Sequence, residues 1–354
     1  MLADDLTGAL DATAQFVRLI GPVRVFLEAV DVPEGIPAAF DSASREVGER
    51  EAVIRVARIA PLLRGGRPAF KKLDSLLRGQ AAAEIATCLR IGGFHHAVIA
   101  PAFPAQGRVT RRGSQFARQG HGEWQDVGVD LVGNLERLGL AVALRRPGDH
   151  ASGGISLWDA CNEADLAKVA VAGRRLSGQV LWCGTAGLAA ALAGGRPCSA
   201  PCPTGPVLAC IGSNHPVSLG QLQQAAAFWV RVQEGGADAA RIAERLENGS
   251  VAVSLALPPG LARDEVAQRV RVGFAQLLAK LPPPPALLVS GGETLRGVCL
   301  NLGVQAVEVE GEILPGIPTA VLRGGDWEGV RLVSKSGAFG APDLLRRLLT
   351  NGVS

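Results

Sequence analysis

The chain has 354 residues, which suggests two domains at about 150 residues per domain. Hydrophobic residues make up 47% and charged residues 19% of the chain, so its composition excludes a mainly disordered protein. Lysine and arginine outnumber aspartate and glutamate by 36 to 33, and the net charge of +3 is too small to indicate nucleic acid as a partner. A small anionic substrate is compatible with this balance.

The apolar stretches are too short to cross a bilayer as a helix, which needs roughly 20 apolar residues. One of the most continuous stretches, 180–193, is shorter than that and is interrupted by Gly184 and Gly187. Asp4 and Asp5 stand where a secretory signal would carry positive charge, so we expect a cytoplasmic protein with no membrane partner. The seven cysteines are scattered without a C-x-x-C pair, which indicates reduced thiols rather than disulfides or a zinc site.

Short apolar or β-branched runs alternate with amphipathic stretches along the chain. In chain order we predict helix 8–20, strand 23–27, helices 49–60 and 81–90, strands 97–100 and 155–158, helix 163–176, strands 180–183 and 207–211, helix 216–232, strand 251–255, helix 262–280, strand 286–290, helix 294–302, strand 331–334 and helix 342–349. This order favours α/β architecture, with two layered α/β domains built on largely parallel sheets. Catalytic groups are then expected at the carboxyl ends of strands.

The segment 194–206 is rich in proline and glycine and suits neither a helix nor a central strand. We therefore predict a domain boundary there, with a first domain at residues 1–200 and a second at 201–354.

Two loops of the first half carry charged side chains between a predicted strand and a helix. Asp4 and Asp5 can hold a sugar hydroxyl, accept a proton or approach a metal ion, although the alternative is that Asp5 or Thr7 only caps the helix that follows. In the segment 71–79, Lys72 and Arg78 offer cations for a carboxylate and Asp74 offers an acceptor for hydroxyls. The alternative for this second segment is an ordinary solvated loop.

A third loop, 100–108, leaves a predicted strand and contains two prolines that stiffen it. Because a stiff loop loses little entropy on binding, it can present the Gln106 and Arg108 side chains to a substrate.

Glycine-containing turns dominate the corresponding positions in the second half. Ser213 lies in a turn that follows one strand and opens a helix, and Gly291 and Gly292 lie in another. Backbone N–H groups at a helix start, unobstructed by side chains, bind phosphate readily. In the segment 335–340, Lys335 could reach a β- or γ-phosphate, while Gly337 and Gly340 permit close approach of the backbone.

Taken together, these loops resemble the four-carbon acid sugar kinase family. The motifs occur in the family's order: DDLTGA from Asp4, KLDSLLRG from Lys72, PAFPAQGR from Pro101, WDACNEADL from Trp158, GTAGLA from Gly184, SGGET from Ser290, PGIP from Pro315 and KSGAFG from Lys335. The resemblance implies a sugar-acid-binding N-terminal domain, a nucleotide-binding C-terminal domain and an active-site cleft between them. It also implies transfer of the γ-phosphate of ATP to the terminal hydroxyl of a threonate, erythronate or 3-oxo-tetronate in carbohydrate metabolism.

Carried over by position, the resemblance assigns two groups of residues. The residues that it places on the nucleotide are Ser213, Gly291, Gly292, Glu293, Thr294 and Gly337. We add Lys335 and Gly340 because they lie in the segment 335–340, which could also contact the phosphates. The resemblance places in the sugar-acid loops Asp4, Asp5, Lys72, Asp74, Arg78 and Arg108, to which we add Gln106. We expect Arg78 and Lys72 to hold the substrate carboxylate, and either Asp5 or Asp74 to accept the proton of the attacking hydroxyl.

Phosphoryl transfer also leads us to expect Mg²⁺ on the β- and γ-phosphate oxygens, without assigning its protein ligands. The expected partners are therefore the small sugar acid and ATP, and a homo-oligomer is compatible with the sequence. Only three residues precede Asp4, so we expect a clipped first strand, and the segment after Arg108 departs from the family's usual sequence.

Two alternatives stay open at this point. One is a nicotinamide-dependent sugar-acid dehydrogenase, which the α/β alternation allows but the missing G-x-G-x-x-G fingerprint disfavours. The other is a non-catalytic sugar-acid-binding relative of the kinases.

Overall fold

The computed structural model describes residues 1–33, 35–118, 120, 122–195, 198–233 and 236–350. The chain divides into two compact units, Met1–Pro197 and Cys198–Ser354. Within the described ranges, no helix is both long enough and apolar enough to cross a membrane.

The first unit alternates strands with helices. Its elements are β1 (Leu2–Ala3), α1 (Leu6–Ala14), α2 (Val17–Ile20), β2 (Val23–Phe26), β3 (Ala38–Asp41), α3 (Glu49–Ile59), β4 (Ala69–Lys72), α4 (Ala81–Gly92), β5 (His96–Ala100), β6 (Arg108–Arg111), β7 (Ser114–Ala117), β8 (Gln125–Asp126), α5 (Leu131–Arg137), β9 (Val142–Arg145), β10 (Ile155–Trp158), α6 (Glu163–Gly173), β11 (Val180–Gly184) and α7 (Ala186–Leu192).

A parallel sheet forms the centre of this unit, in the order β2-β3-β1-β4-β11-β5-β10-β9. The two-residue strand β1 lies between β3 and β4, with Leu2 opposite Phe40 on one side and Lys71 on the other. Strands in parallel register end at the same edge, so the loops after β3, β1 and β4 leave the sheet side by side. Strands β6, β7 and β8 form a separate antiparallel sheet.

The strands of the second unit also pair mostly in parallel. Its elements are β12 (Val207–Ile211), α8 (Pro216–Gln224), β13 (Trp229–Val232), α9 (Ala239–Asn248), β14 (Val251–Leu255), α10 (Arg263–Leu278), β15 (Ala286–Ser290), α11 (Gly292–Asn301), β16 (Ala306–Leu314), β17 (Ile317–Arg323), β18 (Arg331–Lys335) and α12 (Leu344–Leu349). The strand order is β13-β14-β12-β15-β18-β17-β16, and β17 runs antiparallel to both of its neighbours. The loops after β12, β15 and β18 therefore share one edge.

The predicted α/β fold with largely parallel sheets is confirmed, and several element predictions are corrected. The helix predicted at 216–232 is wrong beyond Gln224, because Trp229–Val232 pairs with β14 as an edge strand whose Val230 and Val232 are buried. The helix predicted at 8–20 is two helices, since the chain turns at Gln15 and Phe16. The antiparallel pair β16–β17 was not predicted.

Candidate active site

The loop after β1 places two carboxylates at the start of α1. Asp5 caps the helix, because its Oδ1 accepts the Gly8 N–H at 2.9 Å. The same Oδ1 lies 2.6 Å from Nη2 of Arg45. Asp5 is therefore both a helix cap, as one interpretation predicted, and a member of a charged cluster.

Arg45 is the centre of that cluster, and sequence analysis did not single it out. Its Nε and Nη2 donate to the two carboxylate oxygens of Asp4, each at 2.8 Å, and Nη2 also lies 3.7 Å from Oδ1 of Asp74. Its side chain is only 10% exposed, so these pairs are shielded from water. The loops after β1, β3 and β4 are thus joined by one guanidinium, which binds carboxylates in a fork geometry.

A strained turn carries Arg45. Ala43 has a φ of 51°, in the left-handed region that side chains disfavour, and its N–H donates to Oδ1 of Asp41 at 2.8 Å. The N–H groups of Ser44 and Arg45 both donate to the carbonyl of Asp4. Gly79 makes room for this turn, because a β-carbon there would lie 3.2 Å from the Arg45 backbone.

A buried ion pair anchors the turn from behind. Nζ of Lys71 lies 2.7 Å from Oε2 of Glu84, and both side chains are almost completely buried. Oε1 of Glu84 accepts the Ser44 hydroxyl at 2.6 Å, and the Ser42 hydroxyl bonds to both Ser44 and the carbonyl of Ala3. A continuous hydrogen-bonded chain therefore connects the core to the acidic loop.

The predicted cations of the loop after β4 already have partners in the protein. Arg78 donates from Nε and Nη2 to both oxygens of Asp74, at 2.9 and 2.7 Å. Nζ of Lys72 donates to the carbonyl of Leu73 at 2.8 Å. The structure brings Asp4, Asp5 and Asp74 together through Arg45, while the binding of a substrate carboxylate by Arg78 and Lys72 stays a prediction.

The three carboxylates differ in acidity. Burial raises the pKa of Asp5 above its usual value, and the charges of Asp4 and Asp74 add to this effect although Arg45 opposes it. Burial also acts on Asp4 and Asp74, but the ion pair with Arg45 lowers the pKa of Asp4, and the hydrogen bonds from Arg78 lower that of Asp74. Asp5 is therefore the carboxylate of this group best suited to accept a proton.

Gln106 and Arg108 lie at the edge of this charged group. Nη1 of Arg108 donates to the carbonyl of Gln106, and burial lowers the pKa of Arg108, which the charge of Asp74 opposes. Among the residues that the structure describes, no acceptor meets the buried Nε of Arg108. A ligand oxygen is the kind of partner that such a donor requires.

Gln115 on β7 holds these loops together and was also missed from the sequence. Its buried amide donates from Nε2 to the carbonyls of Ser75 and Pro101, at 2.9 and 3.0 Å. Its Oε1 accepts the Thr110 hydroxyl at 2.7 Å. One side chain thus connects the loop after β4, the loop after β5 and the antiparallel sheet.

Glycines bring together the loops after β12, β15 and β18 in the second unit. A β-carbon on Gly337 would overlap the Ser213 hydroxyl, and one on Gly212 would overlap the hydroxyl of Thr294. Gly291 has a φ of 110° and precedes α11, in whose first turn Gly292 and the exposed Glu293 lie. This unit therefore presents bare backbone and helix starts at one sheet edge, as an anion site requires.

Lys335 ends β18 with its side chain turned into the following loop. Nζ donates to the carbonyls of Ser336 and Phe339, at 2.9 and 3.2 Å. Burial lowers the pKa of Lys335 to about 8. The ammonium group thus holds its own loop, and its predicted contact with a phosphate stays a prediction.

In the described part of the chain, no three His, Cys, Asp or Glu side chains are arranged as a metal site.

Comparison with known proteins gives each half of the chain a counterpart. A family described as a sugar-binding N-terminal domain matches residues 1–134, and one described as a nucleotide-binding C-terminal domain matches residues 208–345. The chain is 32% identical over 396 residues to a D-threonate kinase of Cupriavidus necator, with 96% of this chain and 94% of that protein covered. It is 27% identical over 420 residues to a 3-oxo-tetronate kinase of Methylobacterium radiotolerans, with 98% and 97% covered.

A solved structure has the same fold. It is a Salmonella typhimurium protein described as a putative tRNA synthase, and it aligns with a TM-score of 0.74 over 98% of this chain and 97% of that one. The two sequences are 20% identical, so this likeness concerns the fold alone.

Proposed function

The chain belongs to the four-carbon acid sugar kinase family, and from this premise we propose that it transfers the γ-phosphate of ATP to the terminal hydroxyl of a sugar acid such as D-threonate or 3-oxo-tetronate. Residues 1–200 form the sugar-acid-binding domain in this proposal, and residues 201–354 form the nucleotide-binding domain. The observation that carries it is the contrast between the two units: one gathers buried carboxylates and cations at a sheet edge, and the other gathers glycine turns.

Asp5 is the general base in this proposal. Its raised pKa suits proton transfer better than the lowered pKa values of Asp4 and Asp74 do. Asp74 instead holds the Arg78 fork, and Asp4 holds Arg45. The base accepts the proton of the terminal hydroxyl as that oxygen attacks the γ-phosphorus and ADP leaves.

Cations at the same edge bind the substrate carboxylate. Arg108 contributes its Nε, for which the described residues supply no acceptor, and Lys72 and Arg78 supply further positive charge. Gln106, next to Arg108, binds a hydroxyl of the acid. These groups fix the acid's orientation, and orientation supplies several kcal/mol of the barrier reduction in two-substrate reactions.

The nucleotide phosphates lie on the turns that contain Ser213, Gly291 and Gly337. Thr294 packs against the turn that contains Ser213, because its hydroxyl occupies the space beside Gly212. Gly340, with a φ of 95°, allows the last turn to close. Backbone N–H groups here would stabilise the negative charge of the transferred phosphoryl group.

Mg²⁺ supplies charge neutralisation at the β- and γ-phosphates of the nucleotide when bound. Because Mg²⁺ takes one or two protein carboxylates and completes its shell with phosphate oxygens and water, it requires no cluster of protein ligands. Glu293, the acidic residue in the first turn of α11, offers a carboxylate of the kind that such an ion accepts.

The proposal is tested by ADP release with D-threonate, erythronate and 3-oxo-tetronate, each with and without Mg²⁺. We expect magnesium-dependent ADP release with at least one acid. Reduction of a nicotinamide cofactor without ADP release would instead establish the dehydrogenase. Binding of an acid in calorimetry with neither reaction would establish a non-catalytic binding protein.

A further inference from the structure

We propose that Gln221 is a positioning residue for the nucleotide, because it fixes the carbonyls of the loop 336–341 and so leaves the loop's amides to bind phosphate. The inference rests on the proposed function, since it concerns the same phosphate-binding turns. Gln221 lies on α8, outside every motif that the sequence analysis identified.

Gln221 is completely buried beneath the loop. Its Nε2 donates to the carbonyl of Phe339 at 3.1 Å and to that of Ala341 at 2.9 Å. Two neighbours act in the same way: the Ser218 hydroxyl donates to the carbonyl of Gly337 at 2.8 Å, and Nζ of Lys335 donates to those of Ser336 and Phe339. These carbonyls therefore bond to protein side chains.

The Phe339 N–H donates to the carbonyl of Ser336, but other amides of the loop are in the opposite situation. Among the described residues, no protein acceptor bonds to the N–H groups of Gly337, Ala338 or Gly340. Successive unbonded amides in a turn form a concave anion-binding surface. The fixed carbonyls thus determine which groups the loop offers to a phosphate.

The other end of the Gln221 side chain supports a functional role. Its buried Oε1 bonds to no donor within the part of the chain that the structure describes. A buried polar atom without a partner is unfavourable, so an apolar side chain would serve better if Gln221 only filled space. The side-chain amide of Gln221 therefore serves to donate hydrogen bonds from Nε2 to the two loop carbonyls.

Gln221→Leu tests this role, with Gln224→Leu on the exposed face of the same helix as the matched control. We expect the KM for ATP to rise about tenfold, the effect of losing hydrogen bonds to two carbonyls of the loop. The KM for the sugar acid and the melting temperature should stay close to those of the control, because the substitution removes only the hydrogen bonds that hold the loop 336–341.

Ser218→Ala is a milder second variant, which removes a single hydrogen bond to the loop. We expect it to raise the KM for ATP by roughly threefold, in proportion to that one bond. An unchanged KM for ATP in both variants would overturn the inference. So would a parallel change of both KM values with a lowered melting temperature, because Gln221 would then be a general core residue. Failure of the unmodified enzyme to release ADP with any acid would instead count against the proposed function.

Discussion

Among single residues, the environment of each carboxylate around Arg45 determines its acidity. Asp4, Asp5 and Asp74 surround one guanidinium, yet burial raises the pKa of Asp5 while charged hydrogen bonds lower those of the other two. A sequence shows three aspartates and cannot rank their pKa values, because the ranking depends on how deeply each is buried and on which of them bonds to Arg45 or Arg78, and only the fold determines these.

Asp5→Asn tests the assignment of the base. Asparagine caps a helix as well as aspartate does, so α1 should keep its start and the melting temperature should change little. We expect kcat to fall by about 100-fold or more through loss of the proton acceptor, with sugar-acid binding retained in calorimetry. Asp74→Asn, which releases Arg78, should mainly raise the KM for the acid. The opposite pattern would make Asp74 the base.

We expect the lowered pKa of Lys335 to make the protein's stability depend on pH. Its folded pKa of about 8 lies below the unfolded value of 10.5, so the unfolded chain binds more protons between these values and stability rises with pH there. The buried thiols of Cys88 and Cys210, whose pKa values burial raises to about 12, act oppositely above pH 9. The Lys335→Met variant contains the same two thiols, so their contribution cancels when its unfolding free energy is subtracted from that of the unmodified protein.

We therefore expect the unfolding free energy of the unmodified protein, relative to Lys335→Met, to increase from pH 7 to pH 10. The increase should be on the order of 3 kcal/mol for a shift of this size. Denaturant titrations at several pH values measure it. A constant difference across this range would show that Lys335 keeps its proton in the folded state.

At the scale of elements, the strand-to-helix loops were predictable and the short elements were not. Parallel strands such as 207–211 and 286–290 are continuous apolar runs with glycine turns behind them, and their ends were predicted correctly. Strand β3 has four residues without a distinct pattern, so neither it nor Arg45 in the turn behind it was predicted. The helix predicted at 216–232 is wrong at Trp229–Val232 because this strand alternates over only four residues, with Val230 and Val232 buried and Arg231 exposed, and so short an alternation does not stand out beside the helix that precedes it.

Glu84→Gln tests whether the buried pair supports the turn at 41–45. It leaves Lys71 charged, buried and without its counter-ion, and breaking a buried pair in this way costs about 3–5 kcal/mol. Glu51→Gln is the control, because Glu51 pairs with Arg55 on the exposed face of α3, where such a pair contributes about 0.5 kcal/mol or less. Chemical denaturation measures both. Equal losses would mean that Lys71 and Glu84 contribute no more than surface charges.

At the scale of the whole molecule, we expect the two substrates to be bound independently by the two units. Gly337→Ala places a β-carbon on the Ser213 hydroxyl, so we expect ATP binding to weaken by at least tenfold while sugar-acid binding is unchanged. Gly220→Ala is the matched control, since Gly220 lies within α8 with open space around it. Calorimetry with each ligand separately measures both effects. Loss of both ligands in Gly337→Ala would contradict the division.

The amide of Gln115 has a consequence for engineering acid preference. Because it bonds to Ser75, Pro101 and Thr110 at once, it makes three separate stretches of chain mechanically interdependent. If only one of these stretches were replaced by that of a relative that uses another acid, the Gln115 amide would lose its hydrogen bonds to that stretch. Transplanting all three as a set, with Gln115 included, is the exchange that preserves their mutual fit, and natural divergence in specificity is expected to have moved them together.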